Sequence, residues 1–253
     1  MSLLALPSLG GGELAVLIIA AGLAGLVRGF SGFGAAMIFV PLASVVVDPR
    51  LGVVTLFLID LTMGLPMFVR ALRYCAWRPV LLLWSGAALA VPLGSYLLVT
   101  MDAVQLRWVL ALIILGLVAL LLSGWRYHGK PSVPATLGVG GLAGAMGGLA
   151  GLSGPPVILF LLGGQVASTL VRANMIVFLG LTSLTSGSAF YWRGLIGPPA
   201  LSLAAVLVPL YGVSLWLGAH CFGKSNEKIY RGAALSICAA AALLSLPLWD
   251  LFW

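Results

Sequence analysis

A chain of 253 residues that is 62% hydrophobic and only 8% charged cannot cover a soluble globule, because soluble domains carry about 25% charged residues. Its net charge of +7 is no nucleic-acid surface either, since the basic residues fall in short clusters between apolar runs and form no continuous stripe. The length admits about eight apolar segments of ~20 residues with short loops, so we expect a single membrane domain over residues 1–253, with the lipid bilayer as its solvent.

Lipid cannot satisfy open backbone groups, and strict period-2 alternation is absent, so the segments are expected to be helices: an all-α membrane protein. Glu13–Val47 reads as one long segment with a break at Gly29–Gly34. The first basic residue is Arg28, which does not suit the positive start of a signal peptide, so residues from Glu13 onward are expected to belong to the mature membrane domain. Leu51–Val69 follows and ends at Arg70, Arg73 and Arg78; Pro79–Val99 comes next, then Asp102. Leu106–Ser123 runs into Trp125, Arg126, His128 and Lys130. Val133–Leu162 is a second long segment, broken at Gly147–Pro156. Leu170–Trp192, Ala200–Phe222 and Ile229–Leu248 complete the chain. Trp77, Trp125, Trp192, Trp249 and Trp253 sit near segment ends and read as an interfacial belt. Cys75, Cys221 and Cys238 are scattered, and His128 and His220 are isolated. They suggest neither a disulfide framework nor a metal site, and no cofactor is expected.

The two broken segments resemble each other. Leu23, Ala24, Gly25, Gly29 and Gly32 recur as Leu142, Ala143, Gly144, Gly148 and Gly151 at a constant offset without a gap. Arg50 and Arg172 open the next segment of each half at a slightly different offset. Two repeats follow, about 10–128 and about 129–253.

Charge decides how the broken segments lie. If both cross the bilayer, Arg70, Arg73, Arg78, Arg126, Lys130 and Arg193 face Arg50, Arg107, Lys224, Lys228 and Arg231, which is no bias. If both return to the side they entered, only Arg50, Arg107 and Arg193 lie opposite the rest, the asymmetry expected of exterior against cytoplasm. Each repeat is then a broken re-entrant helical hairpin plus three transmembrane helices. Three spans invert the second repeat relative to the first, an arrangement common in secondary transporters. Both termini are expected outside.

The motifs that carry chemistry are the breaks, Gly29-Phe-Ser-Gly-Phe-Gly34 and Gly148-Leu-Ala-Gly-Leu-Ser-Gly-Pro-Pro156. Glycine brings backbone close to a ligand, and Pro155 and Pro156 suit the first turn of a new helix. Each break should expose a half-helix N-terminus, whose N–H groups and dipole favour an anion. Two such ends meeting at a pseudo-two-fold axis would cradle one. The substrate-binding candidates are Arg28, Gly29, Ser31, Gly32, Gly34, Gly151, Ser153, Gly154 and Asn174. Alternatives stand beside each: the glycines can serve helix packing, Arg28 can snorkel, and Asn174 can join two helices. Asp60, mid-span, is the coupling candidate, with a structural ion pair as the alternative. Arg172 can sit at the interface. Thr182, Ser183, Thr185, Ser186 and Ser188 make one segment hydroxyl-rich and suggest a cavity-facing side.

On Gly29-Phe-Ser-Gly-Phe-Gly34, Gly151-Leu-Ser-Gly-Pro-Pro156 and the repeat relating them, the chain resembles the TauE/SafE family of sulfite exporters and related permeases, over essentially its whole length. The resemblance implies a secondary transporter of the bacterial inner (cell) membrane that exports sulfite or a small organosulfonate by alternating access. Protons are a candidate coupling ion, and homo-oligomerisation is left open. The residues themselves lead only to a small anion. Leu152-Ser-Gly-Pro-Pro156 departs from the Gly-Gly-Gly-type run of many members, and Ala150 stands where the first break has Ser31, so the half-sites are not equivalent. A passive anion channel shares these features, and a membrane scaffold or assembly protein is a further alternative. An enzyme is not expected: no Ser–His, Asp–Asp or His–Glu constellation appears, nor a phosphate-binding Gly-x-x-x-x-Gly-Lys-Ser/Thr run.

Overall fold

A computed structural model describes residues 9–125, 127, 132–162, 168–221 and 227–247. Arg126, His128, Lys130, Lys224, Trp249 and Trp253 lie outside them, as do the side chains of Cys221, Lys228 and Arg231. All regular structure among the described residues is helical: α1 (Gly11–Ser31), α2 (Ala35–Val46), α3 (Pro49–Ala71), α4 (Trp77–Thr100), α5 (Ala103–Leu122), α6 (Val133–Ala150), α7 (Gly154–Leu161), α8 (Ser168–Trp192), α9 (Pro198–Cys221) and α10 (Glu227–Leu244). Seven of them, α1, α3, α4, α5, α6, α8 and α9, are long and apolar enough to cross a membrane. Pro41, Pro66, Pro92 and Pro209 lie inside helices, which neighbouring helices in a membrane accommodate.

The broken segments divide where expected, but more narrowly and less evenly. Gly29, Phe30 and Ser31 remain in α1, and Gly147 and Gly148 remain in α6. Only residues 32–34 and 151–153 are non-helical. In each break the longer piece comes first: α1 has 21 residues against 12 in α2, and α6 has 18 against 8 in α7.

The helices gather into two compact units, each interleaving both halves of the chain. One holds α1, α2, the first part of α3, α5, α9 and α10. Here α1 and α9 run side by side in the same direction. A methyl group on Gly25 would meet Tyr211 O at 2.7 Å, one on Gly29 would collide with Leu215 O, and one on Gly218 with Leu26 O. Contacts this close need glycine and are a recognised way for helices to associate in lipid. α2 packs against α1, α5 and α10, and Ala35–Val40 are at most 5% exposed. Arg50 donates to the Met101 carbonyl at 2.5 Å, bringing the start of α3 to the start of α5.

The other unit holds the remainder of α3 with α4, α6, α7 and α8. A methyl on Gly140, Gly144 or Gly148 would collide with the carbonyl of Leu83, Ala87 or Val91, in that order. Gly86 and Gly94 meet Leu137 and Ala145 in the same way from the other side. Both residue series rise together, so α4 and α6 are parallel. Three sets of hydrogen bonds place α8 parallel to α4 as well. The Ala76 N–H donates to Asn174 Oδ1 (2.8 Å), Trp84 Nε1–H to Thr185 Oγ1 (3.0 Å), and Arg193 to Ser95 Oγ and the Pro92 carbonyl (both 3.0 Å). The Arg193 guanidinium also lies over the Tyr96 ring, 5.4 Å from its centroid. Phe68 fills the notch left by Gly180.

The glycine contacts repeat the sequence repeat. Gly25 and Gly29 stand to Tyr211 and Leu215 as Gly144 and Gly148 stand to Ala87 and Val91, and Gly218 stands to Leu26 as Gly94 to Ala145. The offset is 119 residues between α1 and α6 and 124 between α4 and α9. Gly140, Gly144 and Gly148 of α6 are therefore helix-contact residues.

Candidate functional site

The breaks are built alike. α1 ends at Gly32 and α6 at Gly151, 119 residues apart, both in the left-handed region with φ of 77° and 70°. An L side chain there costs about 1–2 kcal/mol, which explains glycine at both. The Gly32 N–H donates to the Arg28 carbonyl, and the Gly151 N–H to that of Gly147, the residue matching Arg28. Two residues later come the N-caps of the short helices, Gly34 (φ 93°) for α2 and Ser153 for α7.

This alignment separates the two serines. Ser31 is the last residue of α1 and matches Ala150, while Ser153 matches Gly34. The Ser31 hydroxyl bonds back to the Val27 carbonyl at 2.8 Å, lies against the Phe33 carbonyl, and accepts the Phe33 N–H at 3.3 Å. Its hydrogen bonds therefore hold the first break in shape. Ser153 makes no side-chain capping bond to α7 and is 5% exposed. The departure read in the sequence thus has a geometric form: one serine braces a break, and the other heads a helix.

Arg28 in the last turn of α1 donates to the Gly32 carbonyl at 2.7 Å. A cation at a helix C-terminus is favoured by the dipole and by the unpaired carbonyls there. Its positive charge stays two residues from the cap of α2. Gly29, by contrast, faces α9. Gly34 and Gly154 border the starts of α2 and α7, and Gly154–Val157 are buried. A helix has four orphan N–H groups at its start, and Pro155 and Pro156 remove two of them from α7. Ser153 and Gly154 are left as the backbone donors nearest its mouth.

Asn174 is 4% exposed and caps the entry to α4 through Ala76, so its amide oxygen joins two helices. Asp60 is half-buried in the middle of α3. Arg172 is exposed at the start of α8. The hydroxyls of α8 divide. Those of Thr185 and Ser188 bond back to the Leu181 and Leu184 carbonyls at 3.0 and 2.7 Å, the usual way a helix absorbs them. Thr182 is 2% exposed and its Oγ1 finds no partner. As one of five hydroxyls in a run it could not be singled out by sequence. His220 donates from Nδ1–H to the Trp216 carbonyl (2.9 Å), and its ring lies tilted against the Trp216 indole, centroids 4.1 Å apart.

The sequence model of the family described as Sulfite exporter TauE/SafE matches residues 17–244. No curated protein and no solved structure gives a match.

Proposed function

We propose, from the premise that this chain belongs to the sulfite exporter TauE/SafE family, that it exports sulfite or a small organosulfonate by alternating access. Members of the family are membrane transporters of sulfite-like anions and not enzymes. The observation that carries the reading is the pair of breaks, each ending one helix on a left-handed glycine and starting a short buried one. Helix starts held away from water favour an anion through their N–H groups and dipole. In the first break these are the start of α2 at Gly34 with the charge of Arg28; in the second, Ser153 and Gly154. Gly32 and Gly151 shape the breaks, while Ser31 braces the first. Gly29 supports the first break through α9, and Asn174 bears on the second through α4, which packs on α6.

The whole chain acts as one transport domain of two inverted repeats, each with a re-entrant hairpin. Three facts support this. α6 and α8 both run parallel to α4, so the chain must come back between them, and α7 with its eight residues is too short for a span. Arg193 bonds α4 near its Thr100 end, the side of Arg107 under the hairpin reading and the opposite side if every segment crosses. The charge asymmetry then puts the loops after α3 and α5 in the cytoplasm of a bacterial cell and both termini outside. Asp60 in the middle of α3 carries the coupling proton.

The deciding experiment is anion-dependent thermal stabilisation of purified wild type and Arg28→Ala. Sulfite, sulfate, thiosulfate and a small sulfonate are compared with chloride. Binding to the native state alone stabilises by about 2.7 kcal/mol at a hundredfold excess over Kd. One sulfur oxyanion should stabilise wild type, and the substitution should remove the effect. Equal behaviour of all anions, chloride included, overturns the reading. In liposomes, sulfite accumulation driven by a proton gradient distinguishes coupled transport from a channel, and Asp60→Asn should abolish the accumulation.

A further inference from the structure

The second break holds a feature that the backbone alone does not explain. Gly147 in α6 has no side chain, and two others converge on the bare face this leaves. A methyl there would collide with Ser153 Oγ and would stand 3.6 Å from Thr182 Cγ2. Ser153 heads α7 without capping it. Thr182, on α8, is 2% exposed, and its Oγ1 is buried without a hydrogen bond. A threonine in a helix ordinarily bonds its hydroxyl to the carbonyl one turn back, as Thr185 does on the same helix. A buried hydroxyl left without a partner is unfavourable, and this one belongs to a side chain whose methyl lies against the same face of Gly147 that the Ser153 hydroxyl occupies.

We propose that Thr182 is a substrate-binding residue. In this assignment its Oγ1–H and the Ser153 hydroxyl donate to oxygens of one oxyanion seated at the start of α7, and Gly147 is glycine so that the Ser153 hydroxyl and the Thr182 side chain can both approach. The inference rests on reading the α7 start as an anion site and adds the residue that selects the ligand. Two hydroxyl donors with the N–H groups of Ser153 and Gly154 suit a small anion with several acceptor oxygens, such as sulfite. They do not suit a halide, which presents no such set of directed acceptors. The repeat carries a parallel. In the register that pairs Arg50 with Arg172, Thr182 matches Asp60, so one half carries a donor hydroxyl where the other carries an ionisable group.

The test compares wild type, Thr182→Val and Thr182→Ser, with sulfite as probe and thermal stabilisation and isothermal titration as readouts. Valine keeps the shape and removes the hydroxyl; serine keeps the hydroxyl. Since Oγ1 has no partner before the anion arrives, Thr182→Val should unfold without sulfite at or above the wild-type temperature. It should bind sulfite at least roughly tenfold more weakly, the effect of losing one hydrogen bond to a charged group. Thr182→Ser should bind within about threefold of wild type. If wild type binds sulfite and Thr182→Val binds it equally well, the assignment is overturned, and the hydroxyl meets only water. A Thr182→Val protein that is destabilised without sulfite overturns it too, because the hydroxyl then has a structural partner. If wild type binds no anion, the underlying anion-site reading falls with it. Gly147→Ala gives an independent arm: its methyl pushes the Ser153 hydroxyl aside, so sulfite affinity should drop while Thr182 is intact, and unchanged affinity counts against the shared site.

Discussion

Asn174 Oδ1 accepts the backbone N–H of Ala76 at 2.8 Å, so a side chain of α8 caps the entry to α4, 98 residues earlier in the chain. The bond sets the start of α4 level with the second turn of the parallel α8. It also gives the Ala76 N–H the partner that the helix cannot supply. Asn174→Ala should cost about 1–2 kcal/mol, the worth of a helix cap or a buried hydrogen bond. Amide exchange at Ala76 and in the first turn of α4 should accelerate in hydrogen-exchange mass spectrometry. Unchanged exchange there would show that the cap is dispensable.

Gly32 and Gly138 separate backbone strain from crowding, since an added methyl has nothing within 4 Å at either position. Gly32 is left-handed and ends α1, while Gly138 lies inside α6. Gly32→Ala should therefore destabilise by about 1–2 kcal/mol. Gly138→Ala should stabilise by up to about 1 kcal/mol through helix propensity. Unfolding in mixed detergent measures both, and the opposite signs are the prediction.

Gly29 and Gly148 are matched positions whose methyls would strike Leu215 and Val91 backbone. Backbone cannot move aside as a side chain can, so each Ala substitution should cost about 1–3 kcal/mol. The two costs should be similar, because the contacts are equivalent across the repeat. A large inequality in thermal unfolding would mean that the two helix pairs are not energetically equivalent.

Cys75 lies between α3 and α4, and burial pushes its thiol above the ordinary value of 9.0. The thiolate is the reactive form. In a Cys221→Ser/Cys238→Ala background, maleimide labelling should rise with pH and lag an unburied thiol, because less of the Cys75 thiol is ionised at each pH. A raised pKa keeps the thiol protonated further up the scale, which sets the sign. In the proposed topology the reaction occurs in inverted vesicles and not in intact cells. Labelling of intact cells by an impermeant maleimide would overturn that orientation.

The sequence by itself determined the solvent, the backbone type and the existence of two related breaks. Composition alone excludes an aqueous surface, lipid permits only self-satisfied backbone, and the repeat of Gly25, Gly29 and Gly32 at Gly144, Gly148 and Gly151 needs no coordinates to see. It also led to the departure at Ala150. Only the tertiary structure decided what each small residue does, because glycine serves left-handed backbone and close helix contact equally well. Gly32 and Gly151 proved to be the first kind, with φ of 77° and 70°, and Gly29 and Gly148 the second. Pairing across distant sequence was likewise invisible: that α1 meets α9 and α4 meets α6 follows from surface fit between helices of nearly uniform apolarity. Thr182 stood out from its neighbours for the same reason. A hydroxyl's significance depends on whether its own helix takes up its hydrogen bond, and that depends on the rotamer that packing imposes.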